Sequence, residues 1–279
     1  MKKFFKGWYF KQQSNGKTLA VIPGRTADGA FIQIITDSTS YNIPFSLNEY
    51  KENKVIQIGE SSFSNTGIKL RIEKDDISLR GDLEYCDLTP INGDIMGPFR
   101  FFPMECRHGI VSMKHDVRGE IIFNGEKIDF GNGIGYIETD SGFSFPEGYT
   151  WIHSNEFKQN ASIVAAVARI PFYGLRFWGV ICVVWLDGKE YRLATYRGAK
   201  IIRRTQDELI IKQGNFRLQI TVNPRNAQAL AAPNAGTMNR IIKESASCPA
   251  QFLFTEKNKI IFFGESLNAS YEWQPPKTR

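Results

Sequence analysis

Apolar positions along the chain fall in short runs rich in Val, Ile, Phe and Tyr, each broken by polar or glycine-containing turns. In the first half the runs 18–22, 30–36, 54–58, 68–73, 77–85, 109–114 and 117–123 read as strands. Asp28-Gly29, Asn65-Thr66-Gly67, Lys74-Asp75-Asp76 and Asn124-Gly125 close them, and Asn-Gly is the favoured chemistry of a two-residue hairpin. The second half repeats the style at 162–169, 178–186, 191–195, 200–205, 208–213, 216–222, 251–255 and 259–263, with turns at Asp187-Gly188, Gln213-Gly214 and Lys257-Asn258. Only 237–244 could form a short helix, and it reads as easily as a strand. No stretch alternates strand with amphipathic helix, which argues against a Rossmann fold or a TIM barrel. The prediction is an all-β protein with little helix, its strands forming antiparallel barrel or sandwich units. The Gly/Pro-rich stretch 131–146 is the expected seam, which divides the chain into units 1–135 and 136–279.

Composition agrees. With 279 residues, 42% of them hydrophobic and 13% aromatic, the chain can bury one large core or two ordinary ones, which excludes a disordered tail or a small disulfide scaffold. The formal charge of +6 is spread along the sequence and forms no basic block. No nucleic-acid partner is expected from that distribution, whereas mild attraction to anionic membrane lipid fits it.

Cys86, Cys106, Cys182 and Cys248 lie far apart without a Cys-x-x-Cys pair, so reduced thiols are expected. The basic amino-terminal segment lacks an uninterrupted apolar core and a small-residue cleavage site. The most membrane-like window, 170–186, contains Pro171, Gly174, Arg176 and Gly179 and is shorter than the ~20 apolar residues of a spanning helix. It reads as two buried strands around a turn. The expectation is a cytoplasmic protein, with peripheral membrane contact compatible with its surface.

Familiar catalytic signatures are missing: the chain has no Gly-x-Ser-x-Gly elbow, Walker loop, His-Glu-x-x-His or Gly-x-Gly-x-x-Gly. The dense run Gly131-Asn132-Gly133-Ile134-Gly135 opens no helix and reads as a bend between the two units. Two segments concentrate polar groups among aromatics, where such groups need partners or acquire shifted pKa values. In 96–115, strand alternation puts Glu105 and Arg107 on one face, and Cys106, His108 and Ile110 on the other. In 135–155, Glu138 and Asp140 share a face, and so do Trp151, His153 and Asn155. Bland readings exist for each: an ion pair, a satisfied core histidine, an Asx turn at Asp140-Ser141-Gly142, plain packing for Trp151.

The residues of these segments resemble the tocopherol cyclase family. The likeness runs through Gly7-Trp8-Tyr9-Phe10-Lys11, Ile22-Pro23-Gly24 and Met104-Glu105-Cys106-x-His108-Gly109-Ile110-Val111-Ser112-Met113-x-His115. It continues in Gly135-Tyr136-Ile137-Glu138, Ser144-Phe145-Pro146-x-x-Tyr149-x-Trp151, Ala232-Pro233 and Gly236-x-Met238. Where the family has Lys, an acid or amide, Trp and Gly after Tyr-Ile-Glu, this chain has Thr139, Asp140, Ser141 and Gly142. The resemblance implies two lipocalin-like β units, related to carotenoid hydratases, and closure of a prenylated quinol to a chromanol.

That reaction needs a proton for a trisubstituted alkene, stabilisation of a tertiary cation and attack by the phenol oxygen, with no metal and no cofactor expected. Asp140 or Glu138 is the candidate acid, with Glu105 next, and His108 or His153 the base or orienting group. Trp8, Tyr136, Phe145, Trp151 and Asn155 are the candidate substrate-binding residues, aromatic faces serving the cation. The expected partner is thus a hydrophobic small molecule, a prenylated quinol or related isoprenoid. Two rivals stand beside this reading: a non-catalytic barrel that binds an isoprenoid, which the missing Lys and Trp favour, and a hydratase or isomerase using the same acid.

Overall fold

A computed structural model describes residues 4–276 except 75 and 173. The centre of the expected Lys74-Asp75-Asp76 turn, one residue of the turn within 170–186 and the first three residues of the chain lie outside the described residues. Strand accounts for 70% of the chain and helix for 4%, as the succession of short β-branched and aromatic runs requires.

The first sheet has twelve strands: β1 (Phe5–Ser14), β2 (Lys17–Arg25), β3 (Ala30–Thr36), β4 (Ser40–Phe45), β5 (Tyr50–Glu52), β6 (Ile56–Ile58), β7 (Ser61–Ser64), β8 (Gly67–Lys74), β9 (Ile77–Cys86), β10 (Cys106–Phe123), β11 (Glu126–Asp129) and β12 (Gly133–Gly142). They lie in the order β4-β3-β2-β1-β12-β10-β9-β8-β7-β6-β5, with β11 beside β10. The second sheet has ten: β13 (Tyr149–Ser154), β14 (Ala161–Phe172), β15 (Leu175–Leu186), β16 (Lys189–Ala194), β17 (Lys200–Arg204), β18 (Glu208–Gln213), β19 (Phe216–Val222), β20 (Gln228–Asn234), β21 (Thr237–Glu256) and β22 (Lys259–Gln274). Their order is β16-β15-β14-β13-β22-β21-β19-β18-β17, with β20 beside β21.

Both sheets are antiparallel and curl on themselves, so that β3 meets β6 in one, and β15 and β16 meet β17 and β18 in the other. Each curl encloses its own apolar core, around Phe10, Ile34, Phe63 and Ile137 in the first and around Ile163, Val184, Phe252 and Phe254 in the second. A third cluster lies between the two units and draws Tyr9, Met113 and Tyr136 from one sheet and Trp151, Val164 and Ile242 from the other. Central strands are therefore covered on both faces. In β1 this shows as strict alternation: Phe10 and Gln12 point into the first core, while Tyr9, Lys11 and Gln13 reach Glu244 or the Asn268 carbonyl of the second unit.

Three expectations change. The seam does not fall at 135/136, because residues 136–142 continue β12 and pair with β1 and β10; the chain crosses to the second sheet in 143–148. The glycine-rich run is a turn between β11 and β12 and no bend between units. Gly135 is needed there, since a Cβ would come within 2.1 Å of His115 Nε2. The runs 109–114 and 117–123 merge into β10 through register irregularities, and 237–244 is strand, the first part of β21.

One connection links the units from outside the seam. Residues 87–105, between β9 and β10, lie as a strap across the second sheet. Arg192 donates to the carbonyls of Asn92 (2.8 Å) and Asp94 (2.9 Å), Tyr196 Oη donates to the Ile95 carbonyl (2.9 Å), and Asn92 N donates to Glu190 (2.6 Å). Gly97, at φ +54°, leaves room for the Tyr196 ring, which a Cβ would meet at 2.6 Å.

The Arg192–Glu190 pair is buried, with side-chain exposures of 4% and 9%, so removing the guanidinium leaves Glu190 uncompensated. Arg192→Met is expected to cost about 3–5 kcal/mol of stability. It should also raise amide hydrogen exchange in the strap above that in β14 and β15. Unchanged denaturant midpoint and unchanged strap protection would show that Arg192 does not hold the strap.

Candidate active site at the junction of the two sheets

Strand alternation in β12 sends Ile137 into the first core and Tyr136, Glu138 and Asp140 toward the second unit. His108 of β10 is the direct cross-strand partner of Asp140, and Ile110 that of Glu138. The imidazole therefore sits between the two carboxyls: Nδ1 lies 3.1 Å from Asp140 Oδ1 and Nε2 lies 3.4 Å from Glu138 Oε2. Cys106 Sγ donates to the same Asp140 oxygen at 3.3 Å. Glu138 Oε2 also accepts the Tyr136 hydroxyl at 2.5 Å and the Trp151 indole N–H, which reaches across from β13, at 3.1 Å.

The second sheet contributes two more carboxyls. Glu272 of β22 is cross-strand partner to Trp151 on one side and to Glu244 of β21 on the other. Tyr149 donates its hydroxyl to Glu272, and Tyr9 donates to Glu244 at 2.5 Å.

These groups form the polar wall of a cavity of about 130 Å³, or about 930 Å³ of atom-free space when its open mouth is included. Its other walls are apolar: Met96, Phe99 and Met104 from the strap, Phe145 from the crossing segment, and Ala166, Ala168, Ile170 and Ile181 from β14 and β15. A smaller cavity of about 70 Å³, lined by Trp8, Ile22, Phe31, Leu230 and Met238, reaches Glu138, Asp140 and Glu272 from the other side and adds Glu244. The acidic cluster thus stands where the two cavities meet.

Burial sets the electrostatics. It pushes the carboxyls of Glu138, Glu244 and Glu272 above the ordinary range; the neighbouring carboxylates add to this in each case, while His108 partly opposes it at Glu138. Burial alone would lower the His108 imidazole, but the charges of Glu138 and Asp140 outweigh it and lift its pKa to about 9. At neutral pH His108 is therefore an imidazolium clasped by two carboxyl groups. Its ligand-type nitrogens and the Glu138 and Asp140 oxygens lie within 4.8 Å of one another, a set that could hold a cation and is here engaged internally.

The structure brings together most of the residues singled out in the sequence. Asp140, Glu138, His108, Glu105, Trp151 and Phe145 line the larger cavity, and Trp8 lines the smaller one together with Phe145. Glu105 reaches the wall although strand parity put it on the other face, because it precedes β10. Three candidates lie behind the walls. Tyr136 is fully buried and touches the site through its hydroxyl on Glu138. His153 stacks under the Tyr136 ring at 3.7 Å, and burial keeps it neutral, which removes it from the cavity as a base. Asn155 donates to the Gly135 carbonyl at 2.8 Å, a tie between units. Sequence reasoning missed Glu244, Glu272, Tyr9 and Tyr149.

No protein-family model matches the chain, and no curated protein matches it. Solved structures share its fold. CghA in complex with Sch210972 aligns with a TM-score of 0.68 over 100% of this chain and 90% of that one, at 8% identity. Kievitone hydratase from Nectria haematococca gives 0.59 over 97% and 88%, at 11% identity. A protein assigned as AttH from Nitrosomonas europaea gives 0.56 over 99% and 93%, at 14% identity. At such identities the likeness establishes the two-unit lipocalin-like architecture and carries no chemistry.

The buried groups make stability depend on pH in a defined window. Glu138, Glu244, Glu272 and His108 have folded values above their unfolded ones, so the stability they contribute is lost as pH climbs through those folded values. His115, lowered by burial to about 4, and His153 act in the opposite sense, but only below the ordinary imidazole value of about 6.5. Lys11, lowered by burial to about 8, opposes the trend above that pH. Between pH ~6.5 and ~8 stability should fall, by ~1.4 kcal/mol per pH unit for each proton released. Urea midpoints across this range provide the measurement, and a flat or rising series would contradict the arrangement of charges.

Proposed function

We propose that the chain is a cofactor-independent cyclase of a prenylated quinol or a related isoprenoid. The observation that carries this reading is the pairing of an apolar, aromatic-walled cavity with a hydrogen-bonded cluster of carboxyls and imidazolium in its wall. A proton passes from a carboxyl to the trisubstituted alkene, the phenol oxygen bonds to the tertiary cation, and the phenolic proton returns to a carboxylate. The product is an isomer of the substrate, so neither oxidant nor reductant takes part.

The faces and edges of Trp151, Phe145, Tyr149 and Phe99 suit a transient cation, and the carboxylates supply charge of the right sign in a site of low polarity. Glu138 and Asp140, whose oxygens already accept several donors and hold His108 charged, are suited to receive the phenolic proton. Phe101 of the strap and Leu175 at the start of β15 are each 75% exposed, and Arg100 stacks over Phe101, features that suit contact with a lipid phase on the elements that supply Phe99 and Ile181 to the cavity. No helix among the described residues is long and apolar enough to cross a membrane.

A second reading keeps the acid and changes the trap. The open mouth would admit water to the cation, and kievitone hydratase, which shares the fold, is a hydratase by name. Product mass read together with chromatographic retention separates the outcomes: hydration adds one water, cyclisation gives an isomer of unchanged mass at a new retention time, and a non-catalytic barrel returns the substrate itself. Asp140→Asn and Glu138→Gln are expected to lower turnover of a prenylated quinol by about 10²–10⁴ while ligand affinity and melting temperature stay near wild type. Full activity in both variants would remove these residues from the chemistry.

A further inference from the structure

The carboxyl groups at the junction are not equivalent. Glu138 Oε2 accepts a phenol and an indole N–H and faces an imidazolium, three donors that oppose the rise burial imposes on it. Glu244 and Glu272 have a different environment. They are direct cross-strand partners on β21 and β22, so their side chains project from the same face of the sheet. Each accepts one tyrosine hydroxyl, from Tyr9 and Tyr149. Glu244 is fully buried, and its Oε2 has no hydrogen-bonding partner, an orphaned acceptor that a proton shared with Glu272 would satisfy. Glu272 lines both cavities, and Glu244 lines the smaller one.

We infer that Glu244 and Glu272 share one proton, and that Glu272 is the acid that presents it to the alkene of a ligand lying across the two cavities. Two adjacent carboxyls away from water resist ionising together, so in the resting site one of them stays protonated where an isolated carboxyl would not. The groups facing the pair are known from every side. Tyr9 and Lys11 come from β1, Glu138 and Asp140 from β12, His108 from β10, Tyr149 from β13 and Arg240 from β21. Burial raises both carboxyls, aided by the charge of Glu272 at Glu244 and by the charges of Glu138 and Asp140 at Glu272, against the lowering influence of Tyr9 and Lys11 on Glu244 and of Tyr149 and Arg240 on Glu272. Donation breaks the Glu272 O–H bond and forms the alkene C–H bond. The Glu244–Glu272 pair is then fully ionised, until the phenolic proton, released to Asp140 or Glu138, returns to it.

This inference rests on the cyclase reading, but one of its tests does not require turnover. Infrared difference spectroscopy of the whole protein should show the carbonyl band of a buried protonated carboxyl at neutral pH, bleaching as pH rises past about 8. Glu272→Gln and Glu244→Gln should each abolish or shift that band, and Asp140→Asn should keep it. With a prenylated quinol as probe, Glu272→Gln should lose about 10²–10⁴ in turnover. Glu244→Gln should lower turnover less than Glu272→Gln does and should move the alkaline limb of the pH profile to lower pH, because Glu272 has lost the neighbour that shares its proton. The inference is overturned if the wild type has no such band at neutrality, if both glutamine variants leave the band unmoved, or if Glu272→Gln turns over like wild type. If the band and variants behave as stated while every prenylated quinol is returned unchanged, the shared proton stands and the cyclase reading alone falls.

Discussion

The structure depends on one constraint: at the junction, central strands of both sheets are covered on both faces, so polar side chains pointing across need partners away from water, and several find them in the other unit. Tyr9 meets Glu244, Lys11 and Gln13 meet the Asn268 carbonyl, Trp151 meets Glu138, and Asn155 meets the Gly135 carbonyl. These bonds fix how one sheet registers on the other. The same requirement concentrates titratable groups in a place with little water. The candidate site is therefore part of the seam that joins the units, and no single unit contains it.

Much of the architecture was legible because the outer hairpins obey simple local rules. Asn124-Gly125 closes β10 on β11, and Asp187-Gly188 closes β15 on β16, both after clear strand patterns. The central strands were harder to read for a physical reason. In β1, Lys11, Gln12, Gln13 and Ser14 are all buried, so a polar run that looks like surface is covered by a neighbour the local sequence does not reveal. In β12, two glycines among the first three residues look like a bend, yet the strand is continuous and the glycine at 135 makes room for a ring. The merged strand β10 was cut in two because its register irregularities disturb the alternation.

The site was legible to the same degree. Period-two spacing put Glu138 with Asp140 and His108 with Cys106, and both pairs face the cavity. It also put His153 and Asn155 on the face of Trp151, but the Tyr136 ring covers one and the Gly135 carbonyl engages the other. Glu244 and Glu272 escaped notice although Glu272 lies between Tyr271 and Trp273, the acid-among-aromatics pattern that drew attention to Glu138. What the sequence could not show is their pairing, which depends on β21 and β22 lying side by side. Environment then separates carboxyls of identical chemistry: imidazole, phenol and indole donors oppose the effect of burial at Glu138, whereas at Glu244 a neighbouring carboxyl adds to it.

The strap has a consequence for the order in which the molecule is made. Residues 5–142 can complete the first sheet as soon as they emerge, but the strap within them carries Met96, Phe99 and Met104, whose apolar partners belong to strands made later. Its anchors, Glu190, Arg192 and Tyr196, follow the whole β14–β15 hairpin out of the ribosome. During that interval the nascent chain exposes an unpartnered apolar ribbon beside a finished sheet, and this is the segment a chaperone would have to shield.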